Sequence, residues 1–378
     1  MKKIKILFTG YYGFGNFGDD LFGLISIWGA KHLWKSNDNY LLSSRGPLSN
    51  IIEIKYAIKQ KKFFKGYKLI MHYIAILKAN FIILAGGSIL NSKPHLISIR
   101  RFMFNLNNLN IVKIGAIGVS LGPFKSKEDY IYIRKTVSNF KFLALRDKAS
   151  FKVAQSMGLP YNPILASDLA FILPQIKESV NNSTFNLKRK TVGISLCHYE
   201  RYIGGDISNE ERREESIYLL LINLLKFKDI YFRFFIINGN TITGDKQITY
   251  KIIKRLQLNN KKYEVINYSN DTMRMIEQIR SCNFMFSTRL HGSIIAAANN
   301  VPSLLVEYHQ KCTDYLDDIG IDKSLRIGDM TKENSEIITV IDKFLYGNSI
   351  NMYRKKEDII NRSLENFNNP EILKCFYE

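Results

Sequence analysis

The sequence predicts an α/β protein of two Rossmann-like domains that face each other across a cleft. Three observations carry that prediction. Short continuous runs of Val, Ile and Leu alternate with amphipathic stretches along almost the whole chain, the pattern of parallel strands covered by helices on both faces. A polar, aperiodic segment from Pro174 to Lys190 interrupts this rhythm and suits a linker. The alternation then restarts at "TVGISL" and runs to a closing helical tail. The predicted domains are residues 1–175 and 190–347, with the tail over 348–378.

Taken in order, "IKILF" predicts a buried first strand and Asp19 to Trp34 a helix. "YLLSSRG" reads as the second strand and "FIILAGG" as the next, with helical periodicity in "PHLISIRRFMFNL". "IVKIGAIGVS", a helix from Lys127 to Ser138, "FKFLALRD", a helix from Lys148 to Met157, and "ILASDLAFIL" complete the first domain. In the second, "TVGISL" precedes a helix near Glu210 to Lys226. "IYFRFFIIN", a helix from Asp245 to Leu258, "YEVINYS", a helix from Asp271 to Arg280, "FMFSTRLHG" and "SLLVEY" follow.

The 378 residues suffice for two cores, and 46% hydrophobic with 23% charged residues excludes a disordered or fibrous chain. The net charge of +20, from 54 Lys and Arg against 34 Asp and Glu, favours anionic partners. The densest basic run, "KQKKFFKGYK" from Lys59 to Lys68, reads either as a solvated helix end or as a membrane-surface patch. In the second reading Phe63, Phe64 and Tyr67 sit among lipid headgroups. No zinc spacing or nucleic-acid motif stands in the sequence, so nucleic acid is not a predicted partner. Cys197, Cys282, Cys312 and Cys375 lie far apart and read as reduced thiols. The N-terminal apolar run is too short for a signal peptide, and His72, Lys78 and Asn80 interrupt the longest apolar stretch. The predicted location is the cytoplasm.

Gly13-Phe14-Gly15-Asn16-Phe17-Gly18 is a literal G-x-G-x-x-G. A dinucleotide fingerprint also needs an acidic residue at the end of the second strand, where Ser43, Ser44 and Arg45 stand instead. Arg45 would suit a 2′-phosphate. However, Asp19 and Asp20 directly follow the last glycine, where they fill the positive end of the helix and repel a pyrophosphate. The loop is therefore not predicted to hold a dinucleotide. One of the two carboxylates is expected to cap the helix, leaving the other to hold a sugar hydroxyl or act as a base.

"STRLHGSIIA" places Arg289 and His291 at a strand's carboxyl end, beside a helix N-terminus. Free N–H groups, a bidentate guanidinium, an imidazole that titrates near neutrality and the Ser293 hydroxyl together make an anion site there. Gly86, Gly87 and Ser88 end a buried strand, where they either admit a ligand or simply pack closely. The same choice holds for the turn from Gly118 to Pro123. Arg146 is a candidate second anion subsite, or else an ion-pair partner of Asp147. His198 and Arg201 in "GISLCHYERYIGG" border a bound ligand or belong to a surface loop. Lys311 reads as an anion contact or a solvated side chain, and Glu307 belongs to the same rim.

In sequence order, "GNFGDD", "AGGSIL", "GVSLGPF", "LRDKAS", "SDLAFIL", and "STRLHGSIIA" followed by "VPSLLVEYHQKCTDYLDDIG" closely resemble the polysaccharide pyruvyl transferase family. The resemblance runs from the first strand to about Gly320. It implies a fold like that of GT-B glycosyltransferases and transfer of a pyruvyl group from phosphoenolpyruvate to a sugar as a ketal. The family's Arg-x-His falls on Arg289 and His291, and its Arg-Asp on Arg146 and Asp147. One departure is Leu169, where the family commonly has proline. On this reading His291, Arg289, Asp19 and Asp20 are catalytic. Arg146, Asn16, Gly18, Gly86, Gly87, Ser88, Gly292, Ser293 and Lys311 bind substrate. No cofactor or metal is expected, and the partners are phosphoenolpyruvate and a sugar or lipid-linked saccharide, with peripheral contact at the inner membrane face. The alternatives are a GT-B glycosyltransferase using a sugar nucleotide, with Glu307 on its ribose, and a basic binding protein without activity.

Overall fold

The apolar runs form two separate parallel sheets, one in each of two units. The computed structural model describes residues 5–43, 48, 52–58, 64–176, 189–227, 229–347 and 352–377. Ser44, Arg45, the basic stretch 59–63 and most of the predicted linker lie outside the described residues.

The first unit comprises the described residues within 1–14, 19–176 and 357–378. Its elements are β1 (Ile6–Thr9), α1 (Phe17–His32), β2 (Asn39–Leu41), α2 (Tyr67–Leu77), β3 (Phe81–Leu90), α3 (Ile99–Asn108) and β4 (Lys113–Leu121). Then follow α4 (Lys127–Val137), β5 (Leu143–Leu145), α5 (Lys148–Ser156), β6 (Ile164–Leu165), a 3-10 turn over Leu169–Ile172 and α6 (Leu173–Ile176). The strands pair in parallel in the order β2-β1-β3-β4-β5-β6, with Leu7 opposite Ile82 and Ile82 opposite Ile114. All three side chains are fully buried, as continuous apolar strands between helix layers require. Ser98, Ser126 and Asp147 start α3, α4 and α5 by accepting a backbone N–H of the first turn.

The second unit comprises the described residues within 15–18 and 177–356. It contains β7 (Lys190–Ser195), α7 (Glu200–Ile203), α8 (Ile207–Leu224), β8 (Ile230–Phe235), α9 (Lys246–Leu256), β9 (Tyr263–Ile266) and α10 (Thr272–Arg280). β10 (Phe284–Ser287), α11 (Leu290–Ala298), β11 (Ser303–Leu305), α12 (Gln310–Ile319) and α13 (Asn334–Tyr346) complete it. Its parallel order is β11-β10-β7-β8-β9.

Two boundaries differ from the sequence reading. Residues 15–18 join the second unit because Asn16 bridges to Asn238 and the Phe17 N–H donates to the Ile237 carbonyl at 3.0 Å. The tail, α14 (Lys356–Asn368) and α15 (Pro370–Tyr377), belongs to the first unit from Glu357 on. Apolar packing explains this: Phe367 and Phe376 lie 5.1 and 4.6 Å from the Trp34 ring, and a side chain at Gly29 would meet Phe367. Asn366 adds a bond from the Gly118 N–H at 2.7 Å. Among the described residues no helix is long and apolar enough to cross a membrane.

Candidate functional site

The order of the second sheet reverses between β7 and β10, and in such sheets ligands collect outside the carboxyl ends of the strands at the reversal. The two strand ends are stitched together there. The Thr288 N–H donates to the Ser195 carbonyl at 2.8 Å, and the Cys197 N–H to the Thr288 hydroxyl at 2.7 Å. Arg289 follows as the residue before α11, and His291 stands in that helix's first turn.

Arg289 is held by an acid that sequence reasoning missed. Asp245, fully buried ahead of α9, accepts from Arg289 Nε at 2.8 Å and from Nη2, while its other oxygen accepts the Asn238 N–H at 2.8 Å. Burial pushes the Asp245 carboxyl above its usual range, and the guanidinium opposes that rise. The same pairing outweighs desolvation at Arg289 and keeps it firmly charged, with 22% of its side chain exposed. The only sequence signal for Asp245 is its position as the first residue of a predicted helix, at the end of the "NGNTITGD" turn; nothing links it to Arg289.

The imidazole of His291 lies against Gly18, where a Cβ would come within 2.2 Å of Nδ1. Gly18 is therefore the residue that leaves room for the ring, a contact that the sequence reading did not predict. Asn16 is the actual cap of α1: its side-chain oxygen accepts the Gly18 N–H at 3.1 Å, a role expected of Asp19 or Asp20. Gly292 is equally steric, since a Cβ there would lie 2.4 Å from Ser287 Oγ.

Ser293 corrects the sequence reading. Its hydroxyl is buried and shares a hydrogen bond of 2.8 Å with Ser303 on β11, so it faces the core. Residues two apart on a helix point about 200° apart, so His291 and Ser293 take opposite sides. Lys311 is half-buried in the first turn of α12, where its N–H donates to His309 Nδ1 at 3.1 Å.

In the first unit, Arg146 occupies the carboxyl end of the sheet. Its Nε donates to Ser120 Oγ at 2.7 Å, Nη2 to Ser88 Oγ at 3.2 Å, and Nη1 to Asp168 at 3.3 Å. The ion-pair partner is thus Asp168, which sequence reasoning quoted in "SDLAFIL" without a role. Asp147 instead caps α5. Burial raises the Asp168 carboxyl's pKa against the pull of Arg146. Leu169, the departure from proline, is buried and fills the space beside Gly118.

The two acids after the glycine loop part company. Asp20 is fully buried and takes the Gly13 N–H at 2.5 Å, fixing the loop, so the catalytic assignment made for it fails. Asp19 stays partly exposed beside Gly87. Gly86, at φ +73°, packs on Phe22, where a Cβ would sit 2.2 Å from the ring, so close packing alone accounts for a glycine here.

The loop after β7 is an ionic cluster. His198 Nδ1 meets Glu210 at 2.8 Å, and Glu210 also accepts from Arg201 Nε and the Tyr199 N–H. Burial favours the neutral Glu210 acid, but these donors outweigh it and lower its pKa from 4.5 to about 2. Burial lowers the His198 pKa from 6.5. Both groups lose stability on acidification: His198 as pH falls below 6.5, Glu210 as pH falls from 4.5 towards about 2. The urea midpoint should fall over both windows, and Glu210→Gln should remove the lower one. A midpoint that stays flat from pH 7 to pH 3 would refute this coupling.

Among the described residues, no group of three or more His, Cys, Asp or Glu is placed to hold a metal ion. A family profile described as polysaccharide pyruvyl transferase matches residues 16–310. A search of curated proteins finds no match. Among solved structures, UDP-GlcNAc 2-epimerase from Neisseria meningitidis bound to UDP-GlcNAc superposes with TM-score 0.60 at 14% identity, covering 98% of this chain and 99% of that one. A putative UDP-N-acetylglucosamine 2-epimerase from Listeria monocytogenes gives TM-score 0.60 at 10% identity, covering 98% of each chain. An α,α-trehalose 6-phosphate synthase from Burkholderia multivorans gives 0.52 at 10% identity, covering 99% and 98%. These likenesses establish a GT-B-like α/β fold.

Proposed function

The chain belongs to the polysaccharide pyruvyl transferase family, and on that premise we propose that it transfers a pyruvyl group from phosphoenolpyruvate to a sugar, forming a ketal. The acceptor is a surface polysaccharide unit or its lipid-linked precursor at the cytoplasmic face of the membrane. The observation that carries the reading is the turn of Arg289 and His291 at the reversal of the second sheet, with Arg289 oriented by Asp245 and His291 seated on Gly18.

In this reading His291 protonates the methylene carbon of phosphoenolpyruvate, and positive charge develops on the carbon bearing the phosphate. A sugar hydroxyl adds to that carbon and gives up its proton. The phosphate leaves with its bridging oxygen, and the second hydroxyl closes the ketal and loses its own proton. Arg289 balances the donor's negative charge, and Asp19 takes or orients the acceptor proton. Arg146 serves the acceptor side through Ser88 and Ser120.

His291→Ala is expected to lower acceptor-dependent phosphate release from phosphoenolpyruvate by about 10²–10⁴-fold, the range for a positioned acid or base. Unchanged release would end the assignment. Against the sugar-nucleotide reading stands Glu307, its expected ribose partner, which is largely buried and lies 3.8 Å from Arg326. UDP release from a UDP-sugar without phosphoenolpyruvate turnover would restore that reading.

A further inference from the structure

The first sheet also reverses, between β1 and β3, and a cavity of about 450 Å³ opens at that point. Thr9 and Gly10 line it from the end of β1, and Leu84 and Ile89 from β3. None of the residues assigned above to pyruvyl transfer lines it.

Its charge is one-sided. His72, Lys93, His95 and Arg100 line it, and among the described residues no Asp or Glu does, the Asp129 carboxylate reaching only the Lys93 N–H at 2.7 Å. Arg100 is fixed in place: Nη2 donates to the Tyr11 hydroxyl at 2.6 Å and Nη1 to the Ile89 carbonyl at 3.1 Å. Two aromatic residues of the lining, Tyr11 and Phe14, are 43% and 57% exposed, as rings that stack on a ligand would be. His72 Nδ1 bonds the Lys68 carbonyl at 2.6 Å, so Nδ1 carries the proton and the neutral ring keeps Nε2 as an acceptor for a hydroxyl.

The mouth is apolar. Between the lining residues His95 and Ser98 stand Leu96 and Ile97, 74% and 80% exposed. Just before His72, α2 exposes Leu69 and Ile70. A basic, aromatic hollow rimmed by exposed aliphatic side chains matches an amphiphile with an anionic head, and the +20 net charge favours an anionic surface behind it.

We propose that this cavity binds the phosphate-linked sugar of a lipid-borne saccharide. Lys93 and His95 hold the phosphate beside the fixed Arg100, Tyr11 and Phe14 hold the sugar, and Leu96 and Ile97 meet the bilayer beside the apolar chain. The inference deepens the functional reading above and rests on it, since it assigns the place where a lipid-linked acceptor is held.

The test is flotation of the full chain with vesicles of phosphatidylcholine alone, with phosphatidylglycerol, or with a polyprenyl phosphate at equal surface charge. Binding to the polyprenyl phosphate vesicles is expected to be about tenfold tighter than to phosphatidylglycerol vesicles, a difference of 1.4 kcal/mol. Lys93→Ala with His95→Ala should erase that preference, and Leu96→Asp with Ile97→Asp should weaken binding to every vesicle. Thermal midpoints of all variants establish that they remain folded. Equal binding to both anionic vesicles, no binding, or a preference that survives Lys93→Ala with His95→Ala would each overturn the proposal. Phosphate release from phosphoenolpyruvate with a polyprenyl-phosphate-linked sugar in detergent micelles, measured on the unmodified chain, separates the two failures. Turnover without vesicle preference sinks the cavity alone, whereas a preference without turnover sinks the pyruvyl-transfer reading and leaves an anionic-amphiphile site.

Discussion

Asp245→Ala is expected to destabilise the second unit by about 3 kcal/mol, because removing one partner of a buried pair strands the other charge. The carboxylate is fully buried and serves both Arg289 and the Asn238 N–H, so its loss takes this acceptor from the guanidinium Nε and from that N–H. The pair is asymmetric. Asp245 already has a raised pKa and can shed its charge by binding a proton, whereas a guanidinium stays charged at any working pH. Arg289→Ala should therefore cost less stability than Asp245→Ala, although both should abolish turnover if Arg289 binds the donor. Urea unfolding of the two single variants and the double variant decides the point. The double variant should be more stable than Asp245→Ala alone, and a simple sum of the two losses would defeat the argument.

Gly18→Ala should lower kcat/KM for acceptor-dependent phosphate release by about 10²-fold, the cost of displacing a catalytic group by roughly an ångström. The added methyl would overlap the His291 ring, so either the ring or the helix start must move. The overlap should also cost about 1–3 kcal/mol of stability. Adding His291→Ala removes the ring and should recover that stability while activity stays low. Wild-type kcat/KM in Gly18→Ala would show that the ring's seat is irrelevant to turnover.

Most of the architecture was legible because its signal is local. Continuous apolar strands and amphipathic helices are written in neighbouring residues, and predicted helices such as Asp271 to Arg280 lie within a residue or two of the observed ones. α2 was missed because Lys68, His72 and Lys78 break its apolar run, although its buried face needs little more than Ala75 and Ile76. The position of Arg289 and His291 at a strand end was legible for the same local reason.

Which side chains turn towards the site was not legible, and the adjacent pairs show why. Asp19 and Asp20 are neighbours of one chemistry, yet only packing buries Asp20 on the Gly13 N–H and leaves Asp19 partly exposed. Gly86 and Gly87 face opposite sides of their strand, so one packs on Phe22 and the other lies beside Asp19. Asp245 and Arg289 are joined only through the sheet that brings the end of β8 near that of β10. By itself the sequence determined the order of elements, the strand ends that carry polar residues and the family resemblance, since all three are read along the chain. Only the tertiary structure decided which charges are paired, which hydroxyl is spent in the core and which glycine seats a ring. Those outcomes depend on contacts between residues that the chain itself keeps far apart.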